Sequence, residues 1–166
     1  MFDFIKKKFS ELKDSQDSKS LIQLLKLLAP LTDSMPMLLL IKDKHLNEKQ
    51  KKFIRNNAFV WGYLNNLGAI NSKLISRPTS NPKVLLAASY EIYSSMFFID
   101  VETAEKEYTN MHKTIKQNKL FKEEFAKGAA SSRIDMEEIN IEIPNRLHPL
   151  SRLHKYLYDK YNEIKK

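Results

Sequence analysis

"NEKQKKFIRNNAFVWGYLNNLGAINSKLI" (residues 47–75) is the longest helical pattern in the chain, and its two halves differ sharply. The first half is charged. From Phe59 to Ile75 only Lys73 carries a charge, and apolar residues point almost all round. A helix that is apolar on every side is a central one. The spacing predicts one helix from an Asn47 cap to a stop at Pro78. Ala58 and Gly62 stand one turn apart, with Ala69 near the same face, so a second helix is expected to cross closely there. Gly62 and Gly68 each cost about 1 kcal/mol relative to alanine in a helix interior, and close packing would be the compensation.

The stretch that follows is punctuated clearly. "RPTSNP" (77–82) reads as a loop, and Asn81 before Pro82 is a cap followed by proline at the first helical position. "KVLLAASYEIYSSMFFI" (83–99) reads as a second core helix, antiparallel to the first across that loop. Asp100 is placed either to cap a third segment or to sit inside one long helix. Val101, Ala104, Tyr108, Met111 and Ile115 form its stripe, and Leu120, Phe121 and Phe125 continue the stripe after Asn118. "KGAASS" closes that run. Residues 134–149 break the helical period: Ile139, Ile141 and Ile143 alternate with Asn140 and Glu142. Asp135 reads there as the cap of a short helix, with Glu138 at the capping-box position. Pro149 opens a last helix, with Leu150, Leu153, Leu157 and Tyr161 on one face.

Upstream, Phe2, Ile5, Phe9 and Leu12 share one face of a helix over 2–13. Lys6, Lys7, Lys8 and Lys13 share that segment with Asp3, Glu11 and Asp14, so its polar side is not a basic membrane-facing surface. It is read as a docking helix for the chain's own bundle or for a partner. Residues 15–20 read as a linker. Ser18 or Ser20 is placed to cap a helix over about 20–29, ended by Pro30, and a short helix follows over about 34–43. The expected fold is therefore all-α: a single domain, residues 1–166, holding an irregular bundle of about six or seven helices with a short extended segment near 139–143. It divides into the docking helix 1–14, the linker 15–20 and the main bundle 21–166.

Composition narrows the function classes. The chain has 166 residues, 42% apolar and 29% charged, with three glycines and no cysteine. Disulfides, thiolate chemistry and cysteine-based zinc sites are excluded. The lysines of the first turn are followed by "FSELKD" rather than an apolar run, so no secretory leader is expected. Residues 21–41 are the most hydrophobic window, but Lys26 and Asp33 each cost about 2.5–3.5 kcal/mol at a bilayer centre, and Pro30 and Pro36 interrupt it. No transmembrane segment is expected. A reducing, bacterial-type cytoplasm fits the composition.

No chemistry announces itself. His45, His112, His148 and His154 lack metal-ligand spacing. Three glycines preclude a phosphate loop, no nucleophile elbow is present, and nothing calls for a cofactor. Glu91 is the only acid in a long apolar helix. With Asn65 and Asn66 from the asparagine-rich core helix it is a candidate polar pocket for a dispersed active site or a small ligand. The net charge is +8, with seven cations against three anions over residues 21–60. Lys49, Lys51, Lys52 and Arg55 fall broadly on one helical side and form a candidate phosphate or polyanion contact. Lysine outnumbers arginine 23 to 5, which suits a solvated surface better than base readout. Three readings stay open. The favoured one is a non-enzymatic helical interaction or regulatory protein with a protein partner or a second copy of itself. The others are a nucleic-acid-associated protein using residues 49–55, and an enzyme or ligand binder built on the polar pocket.

Overall fold

The computed structural model describes residues 15–33, 45–76, 78–140 and 150–166. The candidate docking residues Phe2, Ile5, Phe9 and Leu12 and the helix expected over 34–43 lie outside the described residues. Seven helices are described, with no strand among the described residues: α1 Ser15–Asp33, α2 Glu48–Arg55, α3 Ala58–Asn71, α4 Pro82–Phe97, α5 Val101–Gln117, α6 Lys119–Asn140 and α7 Ser151–Lys165. The chain is an all-α bundle of the expected kind.

Most boundaries follow from side-chain caps. Asn47 accepts from the Gln50 amide at 2.9 Å while Gln50 Oε1 accepts from the Asn47 amide, a reciprocal box that starts α2. Asn81 accepts from the Lys83 amide and Pro82 follows at N1 of α4. Asp100 accepts from the Thr103 amide and hydroxyl at the start of α5. Those bonds, the hydroxyl's first, hold its carboxyl below the usual aspartate range. Asn118 ends α5 and accepts from the Leu120 amide at the start of α6.

Four expectations are corrected. The 47–75 pattern is two helices, not one. Asn57 turns extended (φ −124°, ψ 121°) and its side chain accepts from the Phe59 amide. A second cap thus outcompetes helix continuation, as short amide side chains do. The polar 15–20 stretch is not a linker but the opening of α1, and Pro30 lies inside α1 rather than beyond it. Leu21, Leu24 and Leu28 are buried, and α1 packs along α4. That burial offsets the roughly 3 kcal/mol that an interior proline costs. Residues 134–140 continue α6 instead of leaving the helix, so Asp135 is an interior residue and caps nothing in its own helix. Ile139 and Asn140 are helical, and the remainder of the alternating stretch lies outside the described residues. Finally, Leu120 does not continue the buried stripe; it is exposed.

α3 is the central helix. Trp61, Tyr63, Leu64 and Leu67 are buried, and α1, α4, α5 and α6 all pack on it. α4 runs antiparallel to it, with Gly68 against Leu85 and Trp61 stacked on Tyr93 at 4.1 Å. Its most extensive partner is α6. Gly62 lies opposite Phe125, Asn66 donates to Ser132 at 2.6 Å, and Asn71 reaches Met136. Both chains advance together, so the two helices are parallel. A Cβ built on Gly62 would sit 2.8 Å from the Phe125 carbonyl carbon and closer still to its oxygen. One built on Gly128 would sit 2.8 Å from the Phe59 carbonyl carbon and 2.9 Å from the Tyr63 nitrogen. The backbones touch where each helix lacks a side chain.

Gly62→Ala and Gly128→Ala are each expected to cost about 3 kcal/mol or more, because backbone cannot yield as a side-chain end can. Gly68→Ala, whose added methyl would meet its nearest neighbour at 3.9 Å, is expected to gain up to about 1 kcal/mol from helix propensity. Urea unfolding of the three variants checks both signs.

Candidate functional site

α2 carries an inversion. Ile54 and Arg55 face the core, with Arg55 9% exposed, while the adjacent Phe53 is 60% exposed. Burying an arginine and exposing a phenylalanine opposes the transfer preferences of both side chains. Three contacts hold the helix in this rotation. Arg55 Nη2 donates to Glu107 Oε1 on α5 at 3.3 Å, both groups being buried. Tyr93 of α4 donates to the Arg55 carbonyl, and its hydroxyl lies 3.2 Å from Glu107 Oε2. Having one proton, that hydroxyl donates to one of them at a time. Burial first, and Glu107 next, hold the Tyr93 phenol well above the usual tyrosine range. Arg55 Nε has no hydrogen-bond partner among the described residues.

The outward face of α2 borders a cleft. Phe53, Asn56, Asn57 and Ala58 form one wall, Leu120, Phe121 and Glu124 of α6 the other, and Tyr156 and Lys160 of α7 the end. Its volume is about 560 Å³ including the open mouth. Tyr156 stacks on Phe59 at 3.9 Å with the rings nearly parallel, and its hydroxyl donates to Asn57 Oδ1 at 3.0 Å. Asn57 therefore uses one oxygen twice, to cap α3 and to hold α7. Burial raises the Tyr156 phenol above its ordinary range. Asn56 Oδ1 is buried and unpaired among the described residues. Phe53 and Leu120, 60% and 69% exposed, both line the cleft.

α7 is positioned by a polar cluster of its own. Leu150 offers no side-chain cap. The cap comes instead from Asp135 on α6, whose Oδ2 accepts from the Arg152 amide at 3.2 Å and from the Tyr63 hydroxyl at 2.6 Å. Its Oδ1 accepts from Arg152 Nη1 at 2.6 Å and from Ser151 at 3.3 Å. Arg152 also binds both oxygens of Glu138, and the Glu138 contact, ahead of Asp135, raises its guanidinium's affinity for the proton. A fully buried carboxylate is thereby satisfied by donors from two other helices, α3 and α7.

The sequence-based site residues fare differently. Arg55 leaves the basic set, being turned inward to Glu107, and Lys51 pairs with Glu48 at 3.1 Å. Lys49 and Lys52 remain exposed. Asn65 and Asn66 diverge: Asn65 serves the Tyr108 hydroxyl on α5, and Asn66 serves Ser132 on α6. Glu91 is buried on α4 and desolvation raises its carboxyl above the ordinary glutamate range, but no bond joins it to either amide among the described residues. Sequence reasoning missed Phe53, Leu120 and Tyr156. Periodicity assigns large apolar residues to the core, so no signal in the sequence flagged them. Among the described residues no three acidic or histidine side chains gather to hold a metal. No single described helix is long and apolar enough to cross a membrane. α4 and α5 have the length and composition together, and they are bent by 112° at their junction. Compared with known protein families, curated proteins and solved structures, the chain matches none.

Arg55→Met is expected to cost about 3–5 kcal/mol, because it strands Glu107 in the core. Lys52→Met, at the surface, should stay within about 0.5 kcal/mol. Chemical unfolding of both decides whether Arg55 is a core residue. Glu91 gives a pH test. Its folded pKa lies above the unfolded value, so the unfolded chain ionises first as pH rises, and stability is lost from about pH 4.5 upward until the folded form ionises too. Glu91→Gln should therefore match the parent near pH 4 and exceed it in thermal midpoint at pH 7. An equal difference at both pH values would contradict a desolvated carboxylate.

Proposed function

We propose that this chain is a non-enzymatic interaction protein of a bacterial-type cytoplasm, and that the α2–α6–α7 cleft is its docking surface. The exposed Phe53 beside the buried Arg55 carries the reading. In a helix eight residues long, a turn of roughly 100° about its axis would bring the aromatic inward and release Arg55 to water. The rotation adopted instead recruits Glu107 and Tyr93 to hold an arginine inside. Local rules broken at a compensating cost mark functional positions. The cleft also has the composition of a docking surface: aromatic and aliphatic walls, a few polar atoms and a charged rim.

The alternatives have less support. A polyanion site over 49–55 would use Arg55 as its strongest phosphate ligand, and that group is committed to Glu107. A polar pocket built on Glu91, Asn65 and Asn66 would need the two amides to converge, and they point to different helices.

The reading is tested by a photo-crosslinking phenylalanine analogue placed at position 53, with Ile134, also exposed, as the control position. A single defined adduct from position 53 in native extract, lost when Leu120→Asp is added and not seen from position 134, is the expected result. No adduct from 53, or the same adducts from both positions, would sink the proposal.

A further inference from the structure

The two walls of the cleft are complementary to each other. On α2 the outward face carries Lys49 and Phe53, four residues apart and so about 40° apart around the helix and roughly 6 Å apart along it. On α6 the cleft face carries Leu120 and Glu124 at the same spacing. One wall presents a cation one turn before its apolar group, and the other presents an anion one turn after its apolar group. Laid antiparallel, Phe53 meets Leu120 at the position where Lys49 meets Glu124. Within one molecule these walls are separated by the open cleft. Between two molecules related by a two-fold axis, α2 of each lies on α6 of the other, and every such contact occurs twice, as an isologous interface requires.

We infer that the occupant of this cleft is a second copy of the chain, docked by Phe53 and Leu120 and oriented by Lys49 against Glu124. The inference rests on the reading of the cleft as a docking surface. Lys49 is exposed and has no ion pair among the described residues. Among the described residues Glu124 is ion-paired with Lys127 of its own helix at 2.7 Å, Lys127 being exposed and Glu124 half-buried. Such a pair is worth little in water and yields readily to a new partner. Of the other polar groups at the site, Asn56 Oδ1 has no partner among the described residues, and two are already engaged. Lys160 is bound to Glu163 at 2.7 Å, and Asn57 is satisfied by Phe59 and Tyr156. A partner rich in one sign of charge would meet like charge on one of the two walls, whereas a second copy meets opposite charge on both.

Sedimentation of the full chain over a wide concentration range tests this. A reversible dimer is expected, roughly tenfold or more weaker in Lys49→Glu and in Glu124→Lys, with both variants unchanged in helical content. The double variant K49E/E124K should recover the dimer, since the pair is reversed rather than removed. A strictly monomeric parent overturns the inference, as does a dimer indifferent to the single changes or one that the double change fails to restore. If the parent is monomeric yet position 53 still crosslinks to one other protein, the docking surface stands and only its occupant was wrongly assigned. If neither dimer nor adduct forms, both fall.

Discussion

Two glycines that lie backbone against backbone set the geometry of this bundle. Gly62 of α3 meets the Phe125 carbonyl of α6, and Gly128 of α6 meets the Phe59 carbonyl of α3. A side chain at either point would push the helix axes apart and undo the packing of everything laid on them. α6 returns parallel to α3 only after α4 and α5 have intervened, so this crossing fixes where both ends of a 22-residue helix arrive. One end brings Leu120 and Phe121 beside α2, and the other brings Asp135 beside the start of α7.

Apolar packing alone would let such helices slide. Polar pairs remove that freedom, because each has one good geometry and a penalty for being left unmade. Asn66 with Ser132 and Tyr63 with Asp135 set the register of α3 on α6. Asp135 with Arg152, together with Asn57 and Tyr156, places α7. Arg55, Glu107 and Tyr93 orient α2 against α4 and α5. Around them the aromatic rings of Trp61, Tyr90, Tyr93 and Tyr108 fill the space between α3, α4 and α5 in offset and tilted contacts. The cleft follows from these constraints: with α2, α6 and α7 each pinned by a polar contact elsewhere, their facing apolar groups are left apart.

The elements most legible in the sequence were those written in local chemistry. Asn47, Asn81, Pro82 and Asp100 announce helix starts because a cap needs only its own next three residues. The stripe Val101, Ala104, Met111 and the stripe Leu150, Leu153, Leu157 are buried as their spacing implies. Asp135 was misread for the complementary reason. An acidic residue followed three positions later by Glu138 has the form of a local cap, and nothing nearby in the chain reveals that its carboxylate serves a helix 16 residues downstream. The candidate site was less legible still. Phe53 and Arg55 fit the ordinary pattern of aromatic inside and cation outside, and the pattern is reversed.

From the sequence alone follow the all-α class, the central place of the apolar stretch from Phe59 to Ile75, its tolerance of a close neighbour at Gly62, and most helix starts. These depend on periodicity, caps and the absence of a Cβ, all of which act over a turn or two of chain. Tertiary structure alone decided that the neighbour at Gly62 is α6, that Asp135 caps α7, and that α2 turns its arginine inward and its phenylalanine out. Each of those depends on a group at least 16 residues away, and no local energy term carries information over that separation.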